Sequence, residues 1–148
     1  MYNADPYHGH DGFGDTNHDD EPDLKCVQES EHAVNALVRI VKSHPGEITL
    51  VALGPLTNVA MAMRLDSQFA SNLKEIYIMG GNTEGKGNIT VSAEFNFHSD
   101  PEAAYIVLEN TRCPTFVASW ELCLHKATLH LVLLNTFWSL DASVIFFI

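Results

Sequence analysis

The chain has 148 residues, enough for one domain with a real core. Its 19 Asp and Glu outweigh 8 Lys and Arg, giving a formal net charge of −11. That excess of acid excludes the basic stripe of a nucleic-acid binder and the polybasic face of a membrane-surface protein. Apolar residues make up 46% of the chain, the share of a folded globular protein.

Residues 1–28 are read as a loop. They hold His8, His10 and His18, glycines at 9, 12 and 14, and most of nine acids that fall in the first 31 residues. No helical or strand period runs through them. The start has no basic region and no apolar run, so no signal peptide is expected there. Cys26, Cys113 and Cys123 form no CxxC pair, which predicts reduced thiols and a cytoplasmic location.

From Glu29 the pattern becomes helical. Ala33, Leu37, Ile40 and Val41 recur on one face, and Pro45-Gly46 stops the run. Ile48 to Leu53 is a short apolar run ended by Gly54-Pro55, which predicts a strand buried on both faces. Thr57 to Arg64 is a short helix, with Thr57 or Asn58 as its cap, and helix continues or resumes towards Leu73. Glu75 to Met79 is a second buried strand, ended by Gly80-Gly81.

Residues 82–99 form a long excursion with an extended piece over Thr90–Asn96. Asp100-Pro101-Glu102 starts a helix that runs to about Asn110: Asp caps, Pro sits where no N–H is needed, and Glu favours the positive end of the dipole. Thr115 to Ser119 is a third strand. Alternating helices and strands predict an α/β fold, a mainly parallel sheet with flanking helices. Ligands of such sheets bind beyond the carboxyl ends of the strands, here at Gly54–Asn58 and from Met79 onward.

Residues 127–148 are mostly apolar and long enough to span a membrane, but Asp141 and several polar residues interrupt them, so membrane insertion is not expected. The expected division is a domain over 1–121 and a divergent apolar tail over 122–148.

Three groupings stand out. In an extended segment, Glu94 and Asn96 share a face while Phe95 points away, and Asn88 precedes them in a glycine-flexed turn. A carboxylate accepts and an amide both donates and accepts, a set suited to a sugar; an exposed edge strand is the plain alternative. The turn Leu53–Asn58 offers carbonyls to a hard cation, or serves only as a cap. The His8–Asp15 loop matches no EF-hand or HExxH spacing and reads as a mobile cover or an acidic solvated loop. No P-loop, dinucleotide fingerprint or GxSxG elbow is present.

Taken in order, HGHDGFG (8–14), VALGPLTNVAMAM (51–63) and IMGGNTEGKGNITVSAEFNFHSDPEAA (78–104) resemble the inosine–uridine-preferring nucleoside hydrolases. The likeness runs from about residue 5 to Glu121. It implies an α/β enzyme that cleaves the N-glycosidic bond of nucleosides to ribose and free base with bound Ca2+. By motif, Asn88, Glu94 and Asn96 resemble the ribose ligands, and Thr57 resembles the residue that lends calcium a main-chain carbonyl. His8 looks like part of the flexible loop near the substrate, and Met79 like pocket wall. A homo-oligomer is also implied.

The family's DTDxGxDD motif, which supplies calcium ligands and the catalytic base, does not occur in these 148 residues. Its C-terminal His-Asp pair is likewise missing. The expectation is therefore a partial domain with no catalytic Asp or His of its own, inactive alone. The alternative is a non-catalytic ribose- or nucleoside-binding or docking module.

Overall fold

The computed structural model describes Gly9, His10, Asp15, residues 30–126 and residues 144–147. The contacts divide the chain into two units, Met1–Glu31 and His32–Ile148. In the first, the Asp15 carboxylate accepts the His10 amide at 2.8 Å. Asp15 sits at φ +55°, and Gly9 at φ +74° leaves the space that this carboxylate fills. His8 lies outside the described residues.

The second unit begins with helix α1, Ala33–Ser43. His32 caps it, Nδ1 accepting the Val34 amide at 3.2 Å. Its buried face is Val34, Leu37 and Val41, one residue round from the predicted start of the stripe at Ala33. Strand β1, Ile48–Ala52, follows, and then helix α2, Thr57–Leu65. Leu56 rather than Thr57 or Asn58 is the capping residue, with no side-chain cap bond, because the Thr57 hydroxyl donates instead to Asp100. A short helix α3, Phe69–Asn72, leads into strand β2, Leu73–Met79.

Helices α4, Phe95–Ser99, and α5, Pro101–Asn110, precede strand β3, Thr115–Ala118. Asp100 caps α5 by accepting the Ala103 amide at 2.9 Å, with Pro101 in the first turn, as the sequence predicts. Helix α6, Trp120–Lys126, and strand β4, Val144–Phe147, complete the described elements.

The four strands are parallel in the order β3-β2-β1-β4. Leu50, Ile76 and Ile78 are essentially sealed, packed with Leu37 and Val41 of α1, Val59 and Ala62 of α2, Phe69 of α3 and Val107 of α5. Alternation puts Tyr77 on the other face of β2, where it stacks on its register partner Phe116 with centroids 4.8 Å apart and both residues a little under half exposed. β4 comes from the stretch expected to stand apart as a tail. It lies beside β1, pairing Thr49 to Ala52 with Val144 to Phe147, so β1 is an interior strand. Among the described residues no helix is long and apolar enough to cross a membrane.

Candidate functional site

The carboxyl ends of β1 and β2 are joined by one side chain. Asn96 Nδ2 donates to the Leu53 carbonyl at 3.2 Å and to the Met79 carbonyl at 2.9 Å. Both amide hydrogens are therefore engaged, and Asn96 Oδ1 remains as an acceptor.

Glu94 stands beside it as the cap of α4. Oε1 accepts the Asn96 amide at 2.9 Å, and Oε2 accepts the amides of Phe97 at 3.0 Å and Gly81 at 2.8 Å. Two of these bonds are local and the third crosses to the end of β2. Both Glu94 and Asn96 are 7% exposed, and Glu94 lines a small recess at this edge.

This local geometry corrects the expected extended piece over Thr90–Asn96. Residues 88–92 bend, and helix begins at Phe95. Strand alternation does not bring Glu94 and Asn96 together; the capping turn does, because a carboxylate placed before a helix captures its first free N–H groups. The turn depends on glycines. A Cβ at Gly87 would lie 2.2 Å from the Ala93 carbonyl, and one at Gly80 would lie 2.7 Å from the Phe97 ring. Asn88 enters from the same bend, its Oδ1 accepting the Phe95 amide at 2.7 Å.

A recess of about 290 Å³ opens here, lined by Gly81, Asn82, Glu94, Phe97 and His98 among others. A larger, mostly apolar groove of about 610 Å³ runs between α1, α2 and α5. Its wall includes Thr57 and Asp100, so Thr57 belongs to a different cavity from Glu94. Met79 joins the Glu94 site through its carbonyl.

The sequence reading assigned no role to Glu121. It is a buried acid, 7% exposed, in the first turn of α6. Its Oε1 accepts the Glu84 amide at 2.8 Å and the Thr83 amide at 3.0 Å. The Glu84 amide, followed by its own amide, that of Thr83 and the Ser119 hydroxyl, lowers its pKa to about 2 against the opposing effect of desolvation. No local pattern marks Glu121, since its donors at Thr83 and Glu84 lie far earlier in the chain.

Fold and site together define an α/β protein with a small recess beside Glu94 at the carboxyl edge of a parallel sheet. The family model for the inosine-uridine preferring nucleoside hydrolase matches residues 1–143. The chain is 52% identical over 104 residues to the probable uridine nucleosidase 2 of Oryza sativa subsp. japonica, covering 70% of this chain and 30% of that protein. It is 40% identical over 116 residues to the inosine-uridine preferring nucleoside hydrolase of Leishmania major, covering 78% and 36%. The solved structure of the plant nucleoside hydrolase PpNRh1 superposes with a TM-score of 0.72 at 38% identity, over 81% of this chain and 36% of that one. The chain belongs to the inosine-uridine preferring nucleoside hydrolase family. It spans about a third of the length of these relatives.

Proposed function

We propose that the chain is part of an enzyme that hydrolyses the N-glycosidic bond of ribonucleosides to ribose and free base, that these 148 residues are inactive alone, and that Glu94 and Asn96 hold the ribose. The carrying observation is their chemistry toward a ligand. With both Asn96 hydrogens engaged, the two side chains offer acceptors, Oε1 of Glu94 and Oδ1 of Asn96. Acceptors alone select a partner that brings donors, and a vicinal diol brings two. Asn88, Met79 and His8 are assigned supporting places, Asn88 and Met79 through their bonds at this turn.

Cleavage builds oxocarbenium character on the sugar, as in glycoside hydrolysis. A carboxylate and an amide oxygen against the hydroxyls gain strength as that charge develops, which lowers the barrier rather than only tightening binding. Ca2+ is the cofactor we assign, with Thr57 lending a main-chain carbonyl. Calcium takes about six to eight oxygens. The donors described around Thr57 do not fit that requirement by themselves, since both Asp100 oxygens are already bonded, to the Thr57 hydroxyl and the Ala103 amide. The thiols of Cys113 and Cys123 are free, which supports a reducing, cytoplasmic setting.

A second reading, a ribose-binding module without turnover, is favoured by one fact. The carboxylates of Glu94, Asp100 and Glu121 all accept backbone amides, which makes each a holder of structure rather than a ready base. Two assays separate the readings: ribose release from inosine and uridine with calcium, and ribose titration of the same chain. We expect the 148 residues alone to bind ribose, to bind 2-deoxyribose roughly tenfold or more weakly, and to release none. Release that Asn96→Ala and chelator both abolish would establish a complete site in this chain. Equal affinity for ribose and 2-deoxyribose would remove Glu94 and Asn96 as diol holders.

A further inference from the structure

We propose that Glu121 is a positioning residue for the Glu94 site, acting through the segment Gly81–Glu84. The inference rests on the reading of Glu94 as a ribose holder for its functional meaning, and on geometry for the coupling itself.

Two carboxylates brace this short segment from opposite sides. Glu94 Oε2 takes the Gly81 amide at 2.8 Å. Glu121 takes two amides a little further along, Thr83 at 3.0 Å and Glu84 at 2.8 Å. Between them, the Gly81 carbonyl accepts the Trp120 amide at 2.9 Å, so α6 grips the segment at two consecutive residues of its own. Asn82 ties the far side, its Nδ2 donating to the carbonyls of Lys86 and Ser92 at 2.9 and 2.8 Å. Gly81 has φ +68° and a phenyl ring where a Cβ would stand, so it has no side chain to anchor it. Its position is set by the bonds of its own amide and carbonyl and by what Asn82, Thr83 and Glu84 hold.

A buried carboxylate aimed at two backbone amides makes charge-assisted bonds, stronger than neutral ones. Without them, the Thr83 and Glu84 amides have no other acceptor among the described residues, and the segment is tied to α6 only through Gly81. The Gly81 amide then shifts from Glu94 Oε2. Glu94 loses the long-range member of its three bonds, the one that fixes its carboxylate to the end of β2.

The test is Glu121→Gln in the full chain, with Leu122→Ala as a neighbouring control on the exposed side of α6. Amide exchange is followed at Thr83, Glu84, Gly81, and the core residues Leu50 and Ile76, alongside ribose titration. The proposal expects faster exchange at Thr83 and Glu84 and also at Gly81, with Leu50 and Ile76 unchanged. It expects ribose affinity to fall roughly 10- to 100-fold, the scale of a lost charged hydrogen bond. A role confined to local structure would speed Thr83 and Glu84 and leave Gly81 and ribose affinity as in the wild type; that result overturns the proposal. So does exchange that rises at Leu50 and Ile76 in step with Gly81, which marks global loosening. If the unaltered chain binds no ribose, the functional reading fails, while the Gly81 exchange still decides whether Glu121 positions Glu94.

Discussion

Asn96 Nδ2 reaches the Met79 carbonyl at 2.9 Å, and through its second hydrogen it also holds Leu53, so one side chain ties together the carboxyl ends of two neighbouring strands. The residue proposed to hold the sugar is thus also a rivet of the sheet. Asn96→Asp keeps the shape and removes both donors, turning a carboxylate onto two carbonyl oxygens. We expect a loss of about 2–4 kcal/mol at neutral pH, two bonds plus a buried mismatch. Protonation restores one donor, so the variant's deficit should shrink as pH falls. Denaturant melts at pH 7 and pH 5 check this; a deficit independent of pH would contradict the geometry.

Glu94→Ala removes the α4 cap and the Gly81 tether at once. Helix caps alone are worth about 0.5–2 kcal/mol. Thermal unfolding should shift down by several degrees, while ribose affinity should disappear. Glu94→Gln retains an acceptor and should recover part of the stability and less of the affinity. Comparable recovery of both would indicate that the charge has no part in ribose binding.

The glycines of the 80–87 turn are predicted to differ sharply. Gly87→Ala puts a methyl on the Thr90 and Ala93 carbonyls and should dismantle the turn that carries Asn88. Gly85 has φ +67° and open space around it, so Gly85→Ala costs only the left-handed strain of about 1–2 kcal/mol. Paired urea melts with ribose titrations test the contrast: Gly85→Ala loses stability and keeps affinity, and Gly87→Ala loses both.

Glu121 sets an acid limit. Its folded pKa of about 2 lies below the ordinary 4.5, so its contribution is complete above pH 4.5 and fades as pH falls through about 2. Exchange protection at Thr83 and Glu84 should therefore hold at pH 5 and weaken over that window. In Glu121→Gln the same amides should show no such titration.

Deleting residues 144–148 bares the β1 edge, a strand whose Leu50 and Ala52 are buried. An unpaired apolar edge seeks another strand. Size-exclusion chromatography should show dimers or larger species where the full chain runs at lower mass; an unchanged profile would mean β4 gives little protection.

Much of this architecture was legible from local signals. The strands read as apolar runs ended by Gly54-Pro55 and Gly80-Gly81, and Asp100-Pro101 marked its helix start to the residue. Glu94 and Asn96 were singled out, but for a strand face they do not share. Their capping turn needs the Gly81 amide from thirteen residues earlier, and no local pattern encodes that bond. The same holds for Thr57, diverted from capping by Asp100, and for Glu121, whose donors lie across the chain in the 83–84 turn. β4 escaped because a run such as Val144–Phe147 carries no label for the edge it joins.

The strand beside β1 is made long after β1 itself, with every other described strand between them in the chain. While α1, β1, α2 and β2 can assemble as they emerge, the outer flank of β1 waits until 144–147 are free of the exit tunnel. Each nascent molecule thus passes through an interval with a hydrophobic strand open on one side, and protection in that interval has to come from outside the chain. Expression yield should then track chaperone supply and translation speed more steeply than the thermodynamic stability of the finished fold.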